Sequence, residues 1–181
     1  MLAPSATLRE ISDAILKDRE AGNVRPISDD MSRLYSRVRT MRDRGLIRSA
    51  TRTSQGQENV FGAADIAAAV VAISISLSGG STVQIEAINS YLRTFDNTQG
   101  IPAFERNLER ILAGVPVFIR LDFMSHPWPS HRAIMGTIEE LDIGGPYEWD
   151  GYGQRCVITT TTLLPVTTIV LPIFRILTGK E

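Results

Sequence analysis

Residues Ala63 to Leu77 read Ala-Ala-Asp-Ile-Ala-Ala-Ala-Val-Val-Ala-Ile-Ser-Ile-Ser-Leu, an almost unbroken apolar run with one charge, Asp65, near its start. A helix that is apolar nearly all round has to be buried on several sides, because any side left in water exposes alkyl surface at about 25 cal/mol per Å². The run is more apolar than a surface helix needs, which is one reason to expect dimerisation. Asp65 suits the positive end of the helix dipole, and Ser78-Gly79-Gly80-Ser81 breaks the helix. With 181 residues, 43% hydrophobic and 22% charged, the chain has material for one ordinary domain or two small ones and lies outside the disordered class.

Two amphipathic segments precede this run. Ser5 or Thr7 caps a helix reaching to about Ala21, with Leu8, Ile11, Ala14 and Ile15 on one side and Gly22-Asn23 as the stop. After a short link, Ser28-Asp29-Asp30 opens a second helix expected over about 29 to 44. Met31, Leu34, Val38 and Met41 form its apolar stripe, and Arg33, Arg37, Thr40 and Arg44 lie on another face. Gly45 ends it, and Leu46-Ile47 tuck the chain back onto the core. Residues 48 to 60 are polar and turn-rich around Ser54-Gln55-Gly56-Gln57, which reads as a two-stranded wing.

Charge is segregated along the chain. The net value of -1 divides into +4 for residues 1 to 52, -7 for 53 to 150 and +2 for 151 to 181. From Arg25 to Arg52 eight Arg face three Asp, the balance expected where one end of a protein meets a polyanion. The competing reading is a solvated face on which these arginines pair with Asp29, Asp30 and Asp43.

The run from Val38 to Ile47, followed by Arg52, Gly56 and Phe61 to Ile66, resembles the winged-helix DNA-binding domain of MerR-type transcriptional regulators and the related phage excisionases. In that family a basic helix ends in Gly-Leu-Ile/Leu, a wing carries an Arg and a Gly, and an aromatic opens the next helix at an acidic-Ile/Leu pair. Here Arg39 stands at the family's helix Arg, Gly45-Leu46-Ile47 at the helix stop, Arg52 and Gly56 in the wing, and Phe61 with Asp65-Ile66 at the next helix. Thr40 and Met41 stand where the family has two aromatics, and Gly56-Gln57-Glu58 where its wings have Gly-Tyr-Arg. The resemblance covers about residues 31 to 73 and implies double-stranded DNA as the partner.

Beyond the apolar run, helices are expected over about Thr82 to Arg93 and Pro102 to Ala113. Strands are expected from Val115, over Ala133 to Leu141, and over Cys156 to Leu163. The stretch from Cys156 to Leu177 is a poor membrane span, since it holds six Thr, Pro165, Pro172 and Arg175. Cys156 has no partner for an internal disulfide, and with His126 and His131 it makes no zinc framework. The charges in the first twenty residues leave no signal-peptide core, so a cytoplasmic protein is expected. Ser125 beside His126 invites a nucleophile–base pairing, but no Gly-x-Ser-x-Gly elbow surrounds any serine. Trp128 in a Pro-rich loop, and Tyr147 and Trp149 in a glycine-rich one, are the candidates for gripping a ligand.

These readings converge on an α+β protein with a winged helix-turn-helix over 1–62, a connecting or dimerisation helix over 63–78 and an α+β dimerisation or sensing domain over 79–181. The expected function is a sequence-specific DNA-binding transcriptional regulator such as a repressor, acting as a homodimer on an inverted repeat, with room for a small-molecule effector. Its DNA contacts would be Arg33, Arg37, Arg39, Thr40 and Arg44 on the helix and Arg48, Arg52, Gln55 and Gln57 on the wing. The alternatives are an excisionase-like phage architectural factor and a non-enzymatic protein-interaction module, such as a phage inhibitor or assembly component. Catalysis ranks last, because no residue constellation meets the geometry it requires; no cofactor and no metal is expected.

Overall fold

The computed structural model describes residues 5–22, 30–47, 60–93, 100–126, 130–141, 147–149 and 155–179. It shows a mixed α+β protein whose described elements include six helices and two small antiparallel sheets. The chain divides into two compact units, Met1–Thr82 with Thr168–Glu181, and Val83–Thr167. The expected boundaries at 62 and 78 differ from this grouping, because the apolar helix and the C-terminal helix both belong to the first unit.

In the first unit, β1 (Ala6–Thr7) leads directly into α1 (Leu8–Ala21). Thr7 is the N-cap: its hydroxyl accepts from the Glu10 amide at 3.3 Å, and the Glu10 carboxylate accepts from the Thr7 amide at 2.7 Å. This reciprocal box satisfies two amides that the first helical turn leaves without partners. Leu8, Ile11, Ala14 and Ile15 are buried, as their spacing predicts. Next, α2 (Asp30–Asp43) buries Leu34, Val38 and Met41. Gly45, at φ 72°, ends it in a left-handed turn that lets the Gly45 amide reach the Arg42 carbonyl at 2.8 Å and the Leu46 amide reach Met41 at 2.9 Å. Leu46 and Ile47 are then buried, so the chain does fold back onto the core.

The apolar run forms α3 (Ala63–Leu77), in which every residue from Ile66 to Ile73 is buried within the single chain. Its companion is a helix the sequence reading missed. The sequence pattern after Pro165 predicts no helix, yet Val166–Thr178 form α6, burying Val170, Ile173 and Phe174. The β-branched run Val166 to Val170 and the internal Pro172 disfavour helix locally; the burial of one apolar side overrides that preference. A short strand was also missed: β2 (Val60–Phe61) pairs antiparallel with β1, Ala6 opposite Phe61 and Thr7 opposite Val60.

The second unit holds most of α4 (Thr82–Leu92), then α5 (Ala103–Leu112) and a four-stranded sheet in the order β4-β3-β6-β5. Its strands are β3 (Phe118–His126), β4 (Ser130–Gly136), β5 (Tyr147–Trp149) and β6 (Arg155–Pro165). The expected strand from Val115 begins three residues later, because the Val117 amide and Val115 carbonyl bond the Thr167 hydroxyl at 3.0 and 2.6 Å instead of a ladder. The strand expected over Ala133 to Leu141 runs earlier and stops at Gly136. There the Glu140 carboxylate folds back to accept from the Thr137 amide at 3.0 Å. A Cβ on Gly136 would lie 2.7 Å from that carboxylate, so glycine here leaves room for the Glu140 side chain to fold back.

Candidate nucleic-acid interface

A helix advances about 100° per residue, so burial of Leu34, Val38 and Met41 fixes what α2 offers to water. Ser32, Ser36, Thr40 and Asp43 form the outermost ridge, with Arg33, Arg37 and Arg44 on one flank and Arg39 and Arg42 on the other. The arginines therefore border a line of small and acidic side chains. All of these residues are exposed except Arg42, which is half-buried. The Thr40 hydroxyl donates to the Ser36 carbonyl at 2.9 Å, leaving its oxygen as an outward acceptor.

The cations differ in how far they are committed. Arg37 is exposed, yet its Nη2 donates to the Ser76 carbonyl at 2.7 Å, in the last turn of α3, where that carbonyl also accepts from the Gly79 amide at 3.3 Å and a cation suits the dipole. Arg42 turns back on its neighbour Asp43 at 2.8 Å. Arg33 and Arg37 share with Arg19 a shallow groove of about 200 Å³, floored by Leu16, Leu34 and Leu77. Among the described residues, Arg39 and Arg44 have no side-chain partner, which leaves their guanidinium groups available. The wing candidates Arg48, Arg52, Gln55 and Gln57 lie outside the described residues, as does Trp128. Tyr147 and Trp149 are placed on β5 by their backbone, opposite Val157 and Arg155.

A second charged group sits in the other unit, and sequence reasoning missed it. Asp122 on β3 is fully buried and accepts from Arg120 Nε at 2.9 Å, Arg132 Nη2 at 2.8 Å and Thr161 Oγ1 at 2.8 Å. Arg120, 2% exposed, also donates to the Leu141 carbonyl at 3.0 Å. Burial pushes the Asp122 carboxyl up. The hydrogen bonds from Arg132, Thr161 and Arg120, with the Arg120 charge, outweigh it and hold the group below the usual aspartate value. A carboxylate held this way is an ionised acceptor that ties three strands to one turn, not a proton donor. The only signal in sequence is Arg120 and Asp122 alternating with Ile119 and Leu121; Arg132 and Thr161 join them through strand register alone.

Glu10, Glu139 and Glu140 are also held low, chiefly by hydrogen bonds. Glu10 is lowered by the Thr7 amide and hydroxyl, and Glu140 by Arg110, 2.7 Å away on α5, and by the Thr137 amide. Among the described residues, no three His, Cys, Asp or Glu side chains gather as a metal site, and no helix is long and apolar enough to cross a membrane. Compared with protein-family models, curated proteins and solved structures, the chain matches none.

Proposed function

We propose that this chain is a sequence-specific DNA-binding regulator whose α2 lies in the major groove of a duplex. The exposed flanks of α2, with Arg39 and Arg44 unengaged among the described residues, carry this reading. Arg can bond guanine O6 and N7 together, and the small Ser32–Ser36–Thr40 ridge lets the helix approach base edges closely. The order β1–α1–α2–β2, with β1 paired to β2, supports a winged helix-turn-helix in which α1 and α2 are the paired helices. Residues 48–59, which follow buried Ile47 and precede Val60–Phe61 in the sequence, include Arg48, Arg52, Gln55 and Gln57. In this reading Arg39 and Arg44 lead the contacts, with Arg33 and Thr40 beside them; Arg37 contributes after release from, or while bridging to, the end of α3. The protein acts as a homodimer on an inverted repeat, as a repressor or other transcription regulator in the cytoplasm, and the chemistry is positional, with no bond made or broken.

Selection of bound duplexes from a random pool tests the reading, followed by titration of the winner against a scrambled duplex at fixed salt. The expected outcome is a recovered sequence motif bound far more tightly than the scrambled duplex. Equal affinity for every duplex, with a steep salt dependence alone, reduces α2 to a phosphate contact and removes the regulator reading.

A further inference from the structure

The groove that Arg19 shares with Arg33 and Arg37 is lined by three arginines from two helices. Arg33 and Arg37 stand one turn apart on α2, and Arg19 joins them from the last turn of α1. Among the described residues that line the groove none is acidic; Asp18, the neighbour of Arg19, lines two other cavities instead. Like charges one turn apart on a helix repel, and a third cation on the same groove adds to that cost. The dipole of α1 accounts for a cation in its last turn but not for its placement against two from α2. The floor of Leu16, Leu34 and Leu77 is apolar, and a cleft walled by one sign of charge over low-dielectric material concentrates its field on an entering anion.

We infer that this groove is a phosphate clamp, in which Arg19, Arg33 and Arg37 close on one backbone phosphate of the duplex that α2 reads. The inference rests on α2 entering the major groove, as proposed above. An α-helix with its side chains is about 10–12 Å across and fills a major groove about 12 Å wide. When the Ser32–Ser36–Thr40 ridge points at base edges, the flanks of α2 therefore face the phosphates that border the groove. Arg33 and Arg37 lie on one such flank, and α1 brings Arg19 to the same side. Arg37 is already oriented, since the Ser76 carbonyl holds its Nη2 at 2.7 Å; a guanidinium has five N–H donors, so this bond positions the group without exhausting it. Arg19 is half-buried and has no side-chain partner among the described residues. Guanidinium forks match phosphate oxygens in pairs, so the clamp sets the register of α2 on the backbone while carrying no sequence information itself. Arg19 thereby becomes a DNA contact contributed by the first helix of the pair.

Titration of the full chain with the selected duplex and its scrambled counterpart, over a series of salt concentrations, tests the clamp. Arg19→Gln is expected to weaken binding to both duplexes by the same factor, about fivefold. It is also expected to make the salt dependence shallower, by up to about 0.9 in the slope of log K against log salt. Arg19→Lys keeps the charge without the fork and is expected to recover part of the loss. Because a misfolded variant could also bind weakly, neutral methylphosphonates placed singly along each strand of the selected duplex give a separate readout. At one position the replacement is expected to weaken the unaltered protein while costing Arg19→Gln far less; elsewhere the two proteins lose alike. Sequence-specific binding that Arg19→Gln leaves unchanged in affinity and slope overturns the clamp and keeps the regulator reading. A weakened Arg19→Gln that is as sensitive as the unaltered protein at every methylphosphonate position also overturns it. Equal affinity of the unaltered protein for both duplexes, with the same loss on each in Arg19→Gln, keeps the clamp and removes the regulator reading. A chain that binds no duplex overturns both.

Discussion

Arg39 on α2 and Arg120 on β3 carry the same guanidinium group in opposite settings. Arg39 stands in water without a described partner, while Arg120 is 2% exposed and bonded to Asp122 and to the Leu141 carbonyl. A cation taken out of water is tolerated only where its donors are met, so the buried Arg120 reports on the fold. One left in water costs the fold nothing and remains available for a partner. Burial thus separates arginines that hold structure from arginines that can hold a ligand. Arg37 stands between these cases: it is exposed, yet it closes a carbonyl at the end of α3.

The sharpest way to break this contrast is Asp122→Ala. Removing the acceptor strands Arg120 in the interior, and loss of one partner of a buried pair costs about 3–5 kcal/mol. Urea unfolding should show a loss of that size in the second unit. Replacing both, Arg120→Met with Asp122→Leu, should cost less than Asp122→Ala alone, since it removes the charge as well as its partner. A double replacement as harmful as the single one would show that the group supplies more than mutual neutralisation.

Acid should find the same site. The Asp122 carboxyl is held below its unfolded value of about 3.9, so it contributes stability that is fully present above that pH. The contribution is lost as pH falls below about 4 and through the lower folded value. Stability measured by urea unfolding should therefore fall on that acid limb, and Asp122→Asn should be flatter there while less stable at neutral pH. An unchanged acid limb in Asp122→Asn would place the sensitivity in other carboxylates, such as Glu10 or Glu140, which local bonds also hold low.

On the exposed side, Arg39→Ala should leave stability within about 0.5 kcal/mol, as surface substitutions away from special features do. If Arg39 reads a base, the same change weakens binding to the selected duplex by about 1–3 kcal/mol and relaxes preference at one position. Titration against duplexes differing at single base pairs separates that outcome from an equal loss on every sequence, which marks a phosphate contact.

How much of this was legible in the sequence follows from the range over which each feature is determined. Thr7 with Glu10, Gly45 with Leu46-Ile47, and the all-round apolar Ala63–Leu77 act within a few residues, and the first two helices and α3 lie close to where their periodicity sets them. The exposed cations of α2 were legible for the same reason, since a buried stripe of Leu34, Val38 and Met41 dictates the other face. The partners of those cations were not: Arg37 reaches Ser76, 39 residues away. The Asp122 group draws on three strands, and α6 forms against its own local preference because the first unit buries one side of it.

The smallest expected effect tests whether Arg37 belongs with the structural arginines or the available ones. Its bond to the Ser76 carbonyl is charge-assisted, but the side chain is exposed, so water competes for both groups. Arg37→Ala should therefore lower stability by only about 0.5–1 kcal/mol. Arg37→Lys keeps the charge near the α3 dipole but loses the planar fork, and should fall between. Measuring both variants for stability and for binding to the selected duplex places the residue. A stability loss with unchanged binding makes Arg37 a cap for α3. A binding loss that lysine restores in part, with little change in stability, means the guanidinium leaves Ser76 for phosphate when DNA arrives, and Arg37 then belongs with the available arginines.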